Sequence, residues 1–272
     1  MRILTRIAQA LVLVAVAVSL CHADNFMYFK KKAPPAGGGV TCDSFAGNLV
    51  YSHHFENSDD PTVGNPCGGS DNTSALSLVS NNGSYSATDK SDGSYGLLFS
   101  GAKYAILPLR SITTTYNIVA KGCVRGWLKP KGQTTNYLIA FYVDANNYIR
   151  VQSSAKDNVA GAVTITVLDG AGAESKSTGT TIDNTGGWIQ AAWDFTPASG
   201  SRKILVKVCS DQSCTTGTVY EDTNKTNAPM TDLANVVYMV GNVNSTGNSV
   251  ETAIDDIRIY DYYPSPNTAA CQ

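Results

Sequence analysis

From Asn48 onward, apolar stretches of about four to ten residues alternate with breaks rich in Gly, Ser, Asn and Asp, a spacing that predicts many short strands. The predicted strands are Leu49 to Phe55, Gly96 to Phe99, Tyr104 to Leu107, Tyr116 to Leu128, Thr135 to Val143 and Tyr148 to Ser153. They continue with Ala162 to Leu168, Trp188 to Phe195, Arg202 to Cys209, Thr218 to Asp222, Val236 to Val243 and Thr252 to Tyr260. Val143-Asp144-Ala145-Asn146-Asn147-Tyr148 reads as a hairpin, because Asp and Asn accept turn geometry between two β-rich segments. In Trp188–Phe195 the alternation puts Ile189, Ala191, Trp193 and Phe195 on one face, predicted to meet the core, and Trp188, Gln190, Ala192 and Asp194 on the other. Beyond residue 23 no stretch has helical periodicity, and no repeat of solenoid or propeller length is present. The expected fold is all-β, a two-sheet antiparallel sandwich formed by one domain over 42–272.

The N-terminal pattern differs. Arg2 and Arg6 precede an apolar run from Ile7 to Leu20 that ends at Cys21-His22-Ala23, the layout of a secretory signal peptide over 1–23. About fourteen apolar residues fall short of the ~20 that span a bilayer, so no transmembrane segment is expected. A lipoprotein signal acylated at Cys21 is the competing reading, opposed by bulky Leu20 where a small residue is wanted. Residues 24–41, with Lys30-Lys31-Lys32 followed by Pro and Gly, read as a linker. The expected location is secreted, extracellular or at the cell surface.

Composition agrees with the strand pattern: of 272 residues, 24 are Gly and 14 Tyr, and the only glutamates are Glu56, Glu174, Glu221 and Glu251. Without Arg2 and Arg6, 18 basic and 22 acidic side chains remain, a net charge that argues against nucleic acid as a partner. Cutting after Ala23 leaves six cysteines, Cys42, Cys67, Cys123, Cys209, Cys214 and Cys271, an even number suited to disulfides outside the cell. Fifteen pairings are open. Cys209 and Cys214 are close enough to clip one hairpin, and the absence of Cys-x-x-Cys argues against zinc.

Four segments then carry a family resemblance: Phe55-Glu56 closing the first strand, Gly126-Trp127-Leu128-Lys129-Pro130, the strand Gly187-Trp188-Ile189-Gln190-Ala191-Ala192-Trp193, and Ile254-Asp255-Asp256-Ile257-Arg258-Ile259-Tyr260. In this order the chain resembles the laminin-G-like, concanavalin A-like lectin/glucanase jelly rolls. The resemblance implies two antiparallel sheets, the first and last strands adjacent, and a curved face that relatives use for glycans, proteins or catalysis. It also implies a structural calcium where the end strands meet, for which Glu56, Asp255 and Asp256 are the candidate ligands, hard oxygens suited to Ca²⁺. The alternative for these carboxylates is a hydrogen bond or ion pair, with Arg258 or backbone N–H groups as partners. In a regular strand Asp255 faces inward with Ile257 and Ile259. If the end strands pair, both chain ends leave at one corner, which expects Cys42–Cys271 and, by elimination, Cys67–Cys123.

Catalysis finds no motif. Jelly-roll glucanases set their acid and nucleophile on one strand as Glu-x-Asp-x-x-Glu, a spacing absent around all four glutamates. The doublets Asp59-Asp60, Glu221-Asp222 and Asp255-Asp256, and the adjacent pair His53 and His54, project to opposite faces in a strand. The leading expectation is therefore a non-catalytic binding or adhesion module for glycans or an extracellular surface ligand. A structural cell-surface or matrix protein that self-assembles is the second reading, and a glycan hydrolase or lyase with an unrecognised site the third. Tyr137, Tyr142 and Tyr148, which flank one predicted hairpin, are the ligand-binding candidates, since sugar rings stack on aromatic faces. Ordinary half-buried strand positions are the alternative for them.

Overall fold

In the computed structural model the chain divides into two units, Met1–Pro35 and Ala36–Gln272. The structure describes residues 48–53, 55, 83–91, 93, 95–100, 104–107, 118–132, 136–156, 159–170, 172–227, 237–241 and 250–271, all in the second unit. The expected signal peptide, the linker, Cys42, Glu56, His54 and Cys67 lie outside them. The described residues form fourteen strands and no α-helix. They are β1 (Leu49–His53), β2 (Ser84–Ser86), β3 (Gly96–Ser100), β4 (Tyr104–Leu107), β5 (Lys121–Gly132), β6 (Asn136–Asp144) and β7 (Asn147–Ser153). There follow β8 (Gly161–Asp169), β9 (Ala173–Ile182), β10 (Gly187–Asp194), β11 (Arg202–Cys209), β12 (Gly217–Lys225), β13 (Val237–Gly241) and β14 (Val250–Tyr260).

Every pairing is antiparallel, in two sheets. One has eight strands in the order β12-β11-β10-β5-β14-β3-β2, with β1 also on β14; the other has six, β4-β13-β6-β7-β8-β9. The fold is a two-sheet sandwich of the jelly-roll kind, as expected. The first and last strands pair, His53 opposite Ile257 and Leu49 opposite Tyr260. The core lies between the sheets and takes alternate residues from each strand: Ile189, Ala191 and Trp193 from β10, Ile149 and Val151 from β7, Val163, Ile165 and Val167 from β8. Trp193 meets Phe141 of the opposite sheet edge-on at 5.0 Å between ring centroids, and its indole N–H donates to the Ile118 carbonyl at 2.9 Å. Among buried polar groups, Asn136 of β6 accepts from the Thr252 hydroxyl of β14, a hydrogen bond that crosses the core.

β14 departs from regular alternation. Ile254 and Ile257 are both in the core although three positions apart, because Asp256 has φ 52° and Asp256-Ile257 together oppose the single residue Gly126 of β5. This is a β-bulge, and it falls where β14 changes partner from β3 to β1. A Cβ on Gly126 would lie 2.7 Å from Ile257 Cδ1, so glycine is what lets the bulged isoleucine reach the core. The expectation that Asp255 points inward is corrected here. The bulge supplies the extra residue that keeps Asp255 opposite Trp127, whose neighbour Trp188 lies on the face away from the core.

The β9/β12 edge is tied by polar contacts. Both Glu174 oxygens accept backbone N–H groups of Thr226 and Asn227 just after β12, and Lys176 pairs with Asp222 at 3.0 Å. The Asn227 side chain donates in turn to the carbonyls of Val167 and Gly172.

Candidate functional site

A sandwich has two faces turned away from the core, and here they are built differently. On the eight-stranded sheet the register lines up Arg258, Arg125, Gln190 and Lys207 across β14, β5, β10 and β11. All four are buried, Lys207 and Gln190 completely. What covers them is the segment after β14. Gln190 donates to the Ala269 carbonyl at 2.9 Å and accepts from Cys271 N–H at 3.0 Å, so its side-chain amide pairs with this segment as a strand would. Lys207 donates to the carbonyls of Cys214 (2.6 Å) and Thr268 (3.2 Å). Arg125 donates to those of Ser213 (2.9 Å) and Cys271 (3.2 Å). Burial holds the Lys207 ammonium below the ordinary lysine value, while Asp211 pulls the other way.

Two disulfides fasten this cover. Cys209–Cys214 clips the turn between β11 and β12, as expected. The second is Cys123–Cys271, with Cα atoms 6.2 Å apart, and it replaces both expected long-range pairs, Cys42–Cys271 and Cys67–Cys123. The physical reason lies in the terminal segment, which does not stay at the corner where the end strands meet but folds back across the sheet. Cys123, opposite Tyr260 on the outer side of β5, is the thiol it reaches. Further along, Tyr263 and Asn267 both donate to Glu221 of β12. Burial and the Glu221 carboxylate push the Tyr263 phenol far above the ordinary tyrosine value.

Asp255 and Asp256 belong to this face too. Asp255 accepts from the backbone N–H and hydroxyl of Ser91, at 2.9 and 2.8 Å. Asp256 faces the Arg258 guanidinium at 3.1 Å and accepts from the Gln212 amide. These are partners of the kind the alternative reading named, hydrogen bonds for Asp255 and an ion pair with Arg258 for Asp256, while Glu56, the third candidate calcium ligand, lies outside the described residues. Among the described residues, no three His, Cys, Asp or Glu side chains gather as metal ligands. His53 is buried, its Nδ1 accepting from Phe55 N–H at 2.9 Å with the two rings stacked.

The outer face of the six-stranded sheet carries the three candidate tyrosines. Tyr142 of β6 and Tyr148 of β7 are direct cross-strand partners, their rings 6.4 Å apart and 13° from parallel. The turn joining them has the anticipated chemistry: Asp144 accepts from Asn146 N–H at 2.7 Å and from the Asn147 amide at 3.0 Å. Tyr137 lies towards the other end of β6, and Tyr104 of β4 packs with Tyr137 and Tyr142 around Ala140. Arg150, which motif reading passed over, stands among them. Its Cζ is 4.7 Å from the Tyr148 ring centroid and 5.8 Å from that of Tyr137. The short side chains of Ala140 and Thr166 flank it on the neighbouring strands, and Gln152 follows it on the same face. Tyr104, Tyr137, Tyr142, Tyr148, Arg150 and Gln152 are all half-buried. Part of the signal was available: i, i+2 alternation puts Arg150 between Tyr148 and Gln152 on one face, while Tyr137 comes beside it only through the β6–β7 register.

Against known proteins, no protein-family model matches the sequence, and no curated protein matches it. Solved structures do match in fold. One is domain 4 of AbnA, a GH43 extracellular arabinanase from Geobacillus stearothermophilus, in complex with arabinotriose. The TM-score is 0.55 at 17% identity, over 83% of this chain and 98% of that one. Another is the binding domain of Paraclostridial Mosquitocidal Protein 1, with TM-score 0.53 at 10% identity, over 79% of this chain and 49% of that one. At these identities the likeness is one of fold, and it places the chain among two-sheet β-sandwiches. No helix among the described residues is long and apolar enough to cross a membrane.

Proposed function

We propose that this chain is a secreted, non-catalytic binding module that takes glycans on the outer face of its six-stranded sheet. One observation carries the reading: four half-buried tyrosines and an arginine share that face, whereas the corresponding face of the other sheet is covered by the chain's own C-terminal segment. Tyrosine rings offer flat apolar surface to the C–H faces of sugars, and Gln152, Thr164 and Ser177 line the adjoining strands with groups that bond hydroxyls.

Three further points support it. The described glutamates are each engaged within the chain, Glu174 by Thr226 and Asn227, Glu221 by Tyr263 and Asn267, Glu251 by Ser100 and Lys131, which supports a binding rather than a catalytic reading. Disulfides suit an oxidising, extracellular setting. The AbnA domain of the same fold was solved with arabinotriose, and the mosquitocidal-protein domain is a binding domain. The β1–β14 pairing supports the finer assignment to the laminin-G-like, concanavalin A-like group.

The test is a glycan array probed with the full chain and with Tyr142→Ala/Tyr148→Ala. The wild type binds a defined set of glycans and the double variant, with an unchanged unfolding midpoint, loses them. Binding retained by the variant, or no glycan bound by the wild type, rejects the reading.

A further inference from the structure

Buried cations elsewhere in this sandwich have acceptors. Lys207 has two carbonyls, Arg125 two more, and Arg258 the Asp256 carboxylate. Arg150 is the exception in that none of its guanidinium nitrogens meets a carbonyl or carboxylate among the described residues, whereas Arg125, whose Nε is shut off from solvent in the same way, has two carbonyls at its Nη1. A guanidinium presents five donors, and leaving one dry and unbonded is costly. The ring faces of Tyr148 and Tyr137 offset part of that cost by attracting the charge, but a ring supplies no lone pair to an in-plane N–H. Two residues along, on the same face, the Gln152 side-chain carbonyl is equally shut off from water and has no donor among the described residues. An unmet cationic donor and an unmet acceptor thus sit within one strand repeat of roughly 7 Å, bordered by tyrosines.

We infer that the ligand of this face is a carboxylated sugar, with Arg150 as the anchor of its carboxylate. The inference rests on the glycan-binding reading and narrows it. A carboxylate is planar and matches the two terminal nitrogens of the guanidinium, which unlike Nε are not shut off from solvent, through two parallel hydrogen bonds. With it seated there, a hydroxyl of the same or the next sugar accepts from the Gln152 side-chain N–H group, which is not shut off from solvent as its carbonyl is, and the apolar ring face lies on Tyr148 or Tyr137. Arg150 is held for this purpose by its stacking, and Ala140 and Thr166 on either side are too short to close over it.

The experiment compares carboxylated oligosaccharides (galacturonate tetramers, glucuronate-containing tetramers and sialyllactose) with their methyl esters, with sulfated sugars and with neutral oligosaccharides. Binding to the full chain is followed by calorimetry. The expected result is binding of at least one carboxylated probe that weakens at least about tenfold on esterification, the loss of one charge-assisted hydrogen bond. The same loss is expected in Arg150→Gln, and Arg150→Lys recovers only part of it. The ester arm uses unaltered protein, so misfolding of a variant cannot imitate the effect. Equal affinity for acid and ester, full binding by Arg150→Gln, or binding of sulfated or neutral sugars alone overturns the carboxylate assignment while leaving glycan binding in place. Binding of no probe at all overturns both.

Discussion

The two outer faces of the sandwich begin from similar material and end differently. Each sets a positively charged side chain beside aromatic rings on a central strand: Arg125 lies 5.6 Å from the Tyr260 ring centroid, and Arg150 lies 4.7 Å from that of Tyr148. On the eight-stranded sheet the C-terminal segment brings backbone carbonyls to the cations and a disulfide locks it there. On the six-stranded sheet nothing described brings an acceptor to Arg150. The difference teaches that an arginine between tyrosines is not itself a site. What separates the two faces is that the covered one brings backbone carbonyls to its cations and the tyrosine face, among the described residues, brings none.

The largest effect is expected where the sealed face is fastened. Replacing Cys123 and Cys271 together by Ala should cost about 2–5 kcal/mol in urea unfolding, since the bridge closes a long loop and holds the cover. Glycan binding should be unchanged, and a parallel loss of binding would break the separation of the two faces. A smaller, paired effect sharpens it. Lys207→Leu strands the Cys214 and Thr268 carbonyls and should cost about 1–3 kcal/mol. Arg150→Leu, which strands no described acceptor, should cost no more than about 1 kcal/mol, the worth of its ring contacts. Equal losses would mean that Arg150 is as structural as Lys207.

The smallest effect concerns the edge that joins the sheets. Burial tends to raise the Glu174 carboxyl, but the N–H groups of Asn227 and Thr226, the Thr226 hydroxyl and Lys225 outweigh it and hold the group below the ordinary glutamate value. A depressed carboxyl contributes stability above its unfolded pKa and loses it as pH falls through the folded one. Wild type should therefore exceed Glu174→Gln in unfolding midpoint at neutral pH, with the gap closing in acid. A gap constant with pH would show that shape, not charge, makes the clamp.

The strands with an apolar alternation were legible in the sequence, as were the faces of β10, the Asp144 turn and the Cys209–Cys214 clip. β9 was not, because Ala173–Ile182 is an edge strand with mostly exposed polar residues, and period-two hydrophobicity vanishes where only one or two side chains meet the core. Three-residue β2 left too short a pattern. The bulge at Asp256 was hidden because a positive φ at a non-glycine residue has no reliable signature, and it reversed the inferred direction of Asp255. The partner of Cys271 depended on where an irregular segment lies, which strand pairing does not dictate. Tyr137, Tyr142 and Tyr148 could be named from their hairpin, but the role of Arg150 needed the register that sets it beside Ala140 and Thr166.

The central claim, that the tyrosine face binds and the covered face does not, is tested most directly by amide and aromatic chemical-shift mapping. The full chain would be titrated with the tightest carboxylated probe. The account predicts shifts at Tyr137, Tyr142, Tyr148, Arg150 and Gln152, with Trp127, Trp188, Gln190 and Lys207 unmoved. Shifts confined to the second group, with the tyrosines silent, would contradict it.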